Sequence, residues 1–345
     1  MRLPRPRGPL SALTAHSLAT AARSGAVIST DRFAEQLADM APSCDILVDD
    51  DFQLTLWMLY ELHYRGFDDV DPELEWDPQL LACRQLLERR FEKELRFRTG
   101  GPVQKALQQG EKGADLAAQV NWLIGHMGGP RLAPYLQRQA TREEMLEFLA
   151  VRSVYHLKES DPHSFVLARL AGAPKVALAE LQYDEYGAGR PARLHQTLYG
   201  DALAAAGLDS SYGAHVELAP GSTLAVNNVM SLLCLHQRHR GAAMGHLAAF
   251  ESTSSIPCRK IAAGLQRLGF PPAVAAYFLE HVEADAVHEQ VAVRDLCGRL
   301  VAQEPRLHTE VLFGVACCLY LDALANTHLL DSWQAGNPEP IGAGA

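Results

Sequence analysis

The chain has 345 residues, 48% hydrophobic and 21% charged, with a formal net charge of −10. That balance belongs to a globular protein with a sizeable core. Its acidity leaves no basic face for nucleic acid or an anionic membrane, and no apolar run is expected to span a bilayer.

In chain order, the first 26 residues are arginine-rich and hold no acid. Transit-type leaders share that composition, but a loose N-terminal arm over 1–30 is the simpler expectation, and the apolar stretch of a secretory signal is missing. Residues 50–65 (DDFQLTLWMLYELHYR) set apolar side chains at helical spacing behind an acidic start. An amphipathic helix is expected over 78–98, ending at Gly100-Gly101-Pro102, and another over 114–127 before a second Gly-Gly-Pro. Thr141 and Glu144 have capping-box spacing and open the next helix. Helices follow over 173–184, 192–206, 222–253 (broken near Gly241), 258–268, 272–302 and 307–332. With no persistent strand-period alternation, the fold class is all-α: a helical extension over 31–140, a helical domain over 141–333, and a loose Gly/Pro-rich tail over 334–345. Seven cysteines without a CxxC pair argue against a disulfide framework or structural zinc, Cys317 and Cys318 read as core, and the pattern suits a reducing cytoplasm.

The segment HVEADAVH contains His281, Asp285 and His288. At 100° per residue, positions i, i+4 and i+7 fall within about 60° of one another, so the three share one helix face. Two imidazoles and a carboxylate suit ferrous iron, although a solvated face with ordinary ion pairs would give the same pattern. Three more segments add carboxylates and an imidazole: Glu159 in LKESDPH, Glu185 and His195 in ELQYDEYGAGRPARLH, and Glu251 in MGHLAAFESTS. A carboxylate inside such an apolar run is costly unless paired or metal-bound, and bundles build metal centres from inward-facing carboxylates and imidazoles. Glu61 and His63, two residues apart, point to different faces and read as structural. His156, His163 and His246 read as supporting donors or surface residues. Arg152, Arg169, Arg190 and Arg193 could hold a substrate carboxylate, with surface pairing the simpler expectation.

Taken in order, these segments, over roughly residues 145–300, resemble the haem-oxygenase-like di-iron oxidases and oxygenases, often labelled iron-containing redox enzymes. The resemblance implies a haem-oxygenase-like helical bundle with an N-terminal helical extension, so that 141–333 would be the di-iron domain. It implies Glu159, Glu185, His195, Glu251, His281, Asp285 and His288 as ligands for two Fe per chain, with O2 as co-substrate. Family members differ on the role of the residue matching Glu185. A small, amino-acid-derived metabolite is the implied substrate, undergoing N-oxygenation or oxidative C–C or C–N cleavage in the cytoplasm, without nucleic-acid or membrane partners. A metal-free helical lyase or small-molecule-binding protein on the same scaffold is the alternative. Residues 1–140 carry no catalytic motif and resemble the extension of longer members, packed against the core or across a homodimer.

Overall fold

A computed structural model describes residues 1–24, 27–41, 44–129 and 132–336, apart from the side chains of 22–24 and 283–287. Among the described residues there is no strand, and the protein is all-α. The extension comprises α1 (Pro9–Ser24), α2 (Thr30–Ala38), α3 (Asp50–Glu61), α4 (Pro78–Glu111), α5 (Leu116–His126) and α6 (Leu132–Arg138). After it come α7 (Arg142–His156), α8 (Asp161–Leu167), α9 (Gly172–Glu185), α10 (His195–Ala206), α11 (Gly221–Leu235), α12 (Arg240–Arg267) and α13 (Pro272–Gln290). A π-helical stretch (Val291–Gly298), α14 (Arg299–Gln303) and α15 (His308–Gln334) complete the fold.

Local chemistry explains many of the helix starts. Asp49 accepts from the Phe52 amide at 2.7 Å and caps α3, while Asp77 takes the Gln79 and Leu80 amides ahead of Pro78 at the first turn of α4. The Thr141–Glu144 capping box forms as the spacing predicts.

Several expectations are corrected. The N-terminal segment is not a loose arm: α1 buries Leu10 and Leu18, and the Asp51 carboxylate of α3 receives its Leu10 and Ser11 amides at 2.9 and 2.7 Å. That cap comes from 40 residues away, outside the reach of local sequence patterns. The helix α4 continues through Gly100-Gly101-Pro102, and α12 through Pro257, joining two expected helices; the break before α12 falls at residues 236–239. The expected helix over 272–302 changes to π geometry at Val291. Finally, Pro305–Gln334 is long and apolar enough to cross a membrane by length and composition, with 56% of its apolar window buried within the fold. It contains α15, whose Cys317 and Cys318 are core residues. Of the tail, residues 337–345 lie outside the described residues.

The larger core gathers side chains from the extension together with α9, α11, α12 and α15, and a second cluster joins α6, α7, α10 and α13. Helices α12 and α15 touch backbone to backbone. A Cβ on Gly245 would lie 2.7 Å from the Val311 carbonyl carbon, and one on Gly314 2.6 Å from that of Ala242. No disulfide forms among the described residues.

Candidate metal centre

Glu159 stands in the turn between α7 and α8, followed by Ser160 in the left-handed region (φ 66°). Glu185 ends α9, and a tight turn returns the chain so that His195 opens α10 beside it. That turn needs Gly187 (φ 73°), because a Cβ there would sit 2.6 Å from the Arg193 and Leu194 backbone. Helix α12 presents Glu251, and α13 presents His281 and His288 two turns apart.

All six side chains are buried in one region. Donor atoms of Glu159, Glu185, His195 and His281 lie within 4.8 Å of one another, as do those of Glu185, Glu251 and His288. Opposite ligands of one ion span about twice a metal–ligand bond of ~2.1 to 2.3 Å, so each set is compact enough to close on a cation. Glu185 belongs to both sets. The side chain of Asp285 lies outside the described residues.

Within the sets, imidazole nitrogens stand close to carboxylate oxygens. His195 Nδ1 stands 2.9 Å from Glu185 Oε2, and His288 Nδ1 stands 3.5 Å from Glu251 Oε2, yet neither nitrogen meets hydrogen-bond geometry. Lone pairs facing one another in this way are relieved by a cation between them or by a proton. Burial would raise the carboxyl pKa values, but His156 and His281 hold Glu159 well below the ordinary range, and His195 lowers Glu185. Burial would lower the imidazoles, but Glu185 raises His195, and Glu251 with Glu185 pushes His288 up to about 9. The site thus pairs carboxylates with imidazoles that hold protons, and a cation taken up there would displace those protons.

A surrounding layer fixes these side chains. His281 donates Nδ1–H to the Tyr277 carbonyl at 2.9 Å, which turns Nε2 towards Glu159. His288 directs Nε2 at Asp184 (3.3 Å), leaving Nδ1 for the second set. The Tyr277 hydroxyl donates to Glu159 Oε2 at 2.7 Å and lies 2.7 Å from His156 Nδ1. Ser160 donates to Glu185 Oε2 at 3.1 Å. Neither Tyr277 nor Ser160 emerged from the sequence; Tyr277 could have, since it precedes His281 by one helical turn.

Glu159, His281, His156 and Tyr277 also form part of the wall of a cavity of about 710 Å³, which runs between α7, α12 and α15. Phe148, Phe250, Ile261 and Phe278 give it apolar surface. Of the four arginines singled out, only Arg152 reaches this wall, donating to Asp322 (2.9 Å) and Asn326 (2.6 Å). Arg169 instead caps carbonyls at the end of α11, Arg193 pairs with Glu280, and Arg190 is exposed. His163 and His246 are buried with ring centroids 6.3 Å apart, outside both donor sets.

A family model described as iron-containing redox enzyme matches residues 146–323, a span that holds all seven sequence-predicted site residues. No curated protein matches the chain.

Proposed function

The chain belongs to the iron-containing redox enzyme family, and we propose that it is a non-haem di-iron oxidase or oxygenase acting on a small organic substrate. Its function as an iron-dependent oxidoreductase follows from the family. The observation that carries the finer reading is the pair of donor sets sharing Glu185. In this reading Glu159, His195 and His281 would hold one iron and Glu251 and His288 the other, with Glu185 within reach of both sets. Asp285, one turn after His281, joins them as the sequence spacing implies.

Bound ferrous iron supplies the electrons and open coordination positions that reduction of O2 requires. The protein's own part is positional. Tyr277 and Asp184 fix the ring orientations of His281 and His288, so that a neutral imidazole presents one chosen nitrogen. The Tyr277 hydroxyl steadies Glu159, and the hydroxyl of Ser160 steadies Glu185. The cavity delivers substrate to Glu159 and His281 while its apolar wall limits water. We assign it an amino-acid-derived metabolite, oxidised at nitrogen or cleaved at a C–C or C–N bond, in the cytoplasm, with neither nucleic acid nor membrane as partner and with a homodimer as the one assembly the extension could support. The mixture of apolar wall with Arg152, Asp322 and Asn326 suits a substrate having an apolar body and a charged end.

Anaerobic titration of the purified chain with ferrous iron, followed by mixing with oxygenated buffer and visible spectroscopy, tests the proposal. Retention of about two irons per chain, with a transient absorbance band lost in His281→Ala, supports it. Failure to bind iron above background, or a variant indistinguishable from wild type, overturns it.

A further inference from the structure

The family match starts at residue 146, which leaves helices α1–α6 without a role. One of them reaches the turn that carries Glu159. Glu61, the last residue of α3, is fully buried, and its Oε2 lies 3.2 Å from Nζ of Lys158, which is 1% exposed. The other Glu61 oxygen accepts the Tyr212 hydroxyl at 2.7 Å. The Lys158 ammonium also stands 4.5 Å over the Tyr64 ring and 5.5 Å over that of Trp57. Four residues beyond Glu61, Arg65 donates to Gln196 Oε1 at 2.8 Å and to the Leu157 carbonyl at 3.4 Å. Gln196 in turn donates to the Glu159 carbonyl at 2.9 Å.

Leu157, Lys158 and Glu159 are therefore each tied, directly or through one side chain, to α3 or the residues just after it. The turn they form needs such ties. Ser160 adopts a left-handed conformation that a non-glycine residue holds only when its surroundings impose it. A buried ion pair contributes little net stability compared with packed apolar side chains, but it fixes direction. We propose that α3 is a positioning element of the metal centre: Glu61 and Arg65 set the 157–160 turn, so that Glu159 and, through Ser160, Glu185 stand in their donor sets. Glu61 and Arg65 are positioning residues and touch neither substrate nor metal. The inference rests on the metal-binding reading above, and the test separates the two.

The probe is anaerobic titration of the full chain with Co(II), whose visible bands report coordination geometry as well as occupancy. Glu61→Gln alone strands a buried ammonium, so the paired neutral variant Glu61→Gln/Lys158→Met keeps the test interpretable. That variant and Arg65→Met are expected to retain helicity and bind Co(II) about 10- to 100-fold more weakly with shifted bands, as loss of outer-layer support does elsewhere. Arg65→Lys restores one contact at most and is expected to recover only part of the loss. Glu88→Gln, which breaks the buried Glu88 contacts to Arg84 within α4 and to His236 just after α11, away from the 157–160 turn, serves as the structural control and should leave Co(II) binding unchanged. Wild-type affinity and bands in both neutral variants would overturn the inference, as would an equal loss in Glu88→Gln. If wild type itself bound no metal, or His281→Ala lost none, the metal reading would fail first.

Discussion

Gly314→Ala adds a single methyl group where α15 meets α12. The new Cβ would stand 2.6 Å from the Ala242 carbonyl carbon and 2.8 Å from its Cα, both backbone atoms that no rotamer change can move. The two helices must separate by more than an ångström along a contact that Gly245 makes equally tight from the other side. Overpacking costs about 1 to 3 kcal/mol, and a backbone obstacle belongs at the upper end. Alanine returns up to about 1 kcal/mol of helix propensity, leaving a net loss of about 2 kcal/mol. With an unfolding entropy of about 2.1 cal/mol/K per residue, a 345-residue chain shifts by about 1.4 °C per kcal/mol, so the melting temperature should fall by about 3 °C. Gly101→Ala is the matched comparison: it lies inside α4, exposed, with no atom within 4 Å of the added Cβ. There propensity acts alone, and a gain of about 0.5 to 1 kcal/mol is expected. Thermal melts followed by circular dichroism at one scan rate, on metal-free protein, read both. If Gly314→Ala melted at or above wild type, the close approach of α12 and α15 would not be the constraint argued for here.

Removing the Tyr277 hydroxyl in Tyr277→Phe takes a donor from Glu159; ferrous affinity by anaerobic titration should drop about 10- to 100-fold with stoichiometry unchanged. Because His288 holds its proton up to about pH 9 in the metal-free chain, metal uptake at neutral pH should release protons, and apparent affinity should climb as pH approaches 9. The sign for the metal-free fold is opposite. With its pKa raised above 6.5, His288 contributes stability fully below that value and loses it as pH passes through about 9. An affinity that stays flat over that range, measured in weakly buffered solution with a pH indicator, would contradict the assignment. Thr141→Ala removes half of the α7 capping box and should cost about 1 kcal/mol by thermal melt, leaving iron stoichiometry intact.

That six of the side chains singled out in the sequence converge reflects how several of them stand out in their local pattern. Glu251 interrupts a small apolar run, and His281 and His288 recur at helical spacing. What surrounds them was not legible there. The Glu61–Lys158 pair joins residues 97 positions apart, and Gln196 meets the Glu159 carbonyl across 37. Such partners follow from packing, which no local window contains. Glu61 looked structural because its neighbour His63 faces elsewhere; His63 indeed pairs with Glu75 and Arg84. Glycine and proline misled in α4 and α12, where tertiary contacts carry each helix past residues that would end it in isolation. Along α12, the Ser252 and Thr253 hydroxyls bond back to the Ala248 and Ala249 carbonyls just before Pro257, so these polar groups are satisfied within the helix.

Because a single carboxylate, Glu185, belongs to both donor sets, the two sets would not fill independently if each takes a cation as proposed. A cation entering either one immobilises that side chain and changes the cost of filling the other. By thermodynamic reciprocity the influence is equal in both directions. Ordering the shared carboxylate once rather than twice favours joint filling, while repulsion between the cations opposes it. If two metals bind as proposed, loading would be a cooperative quantity, whose sign a two-step binding isotherm reads directly.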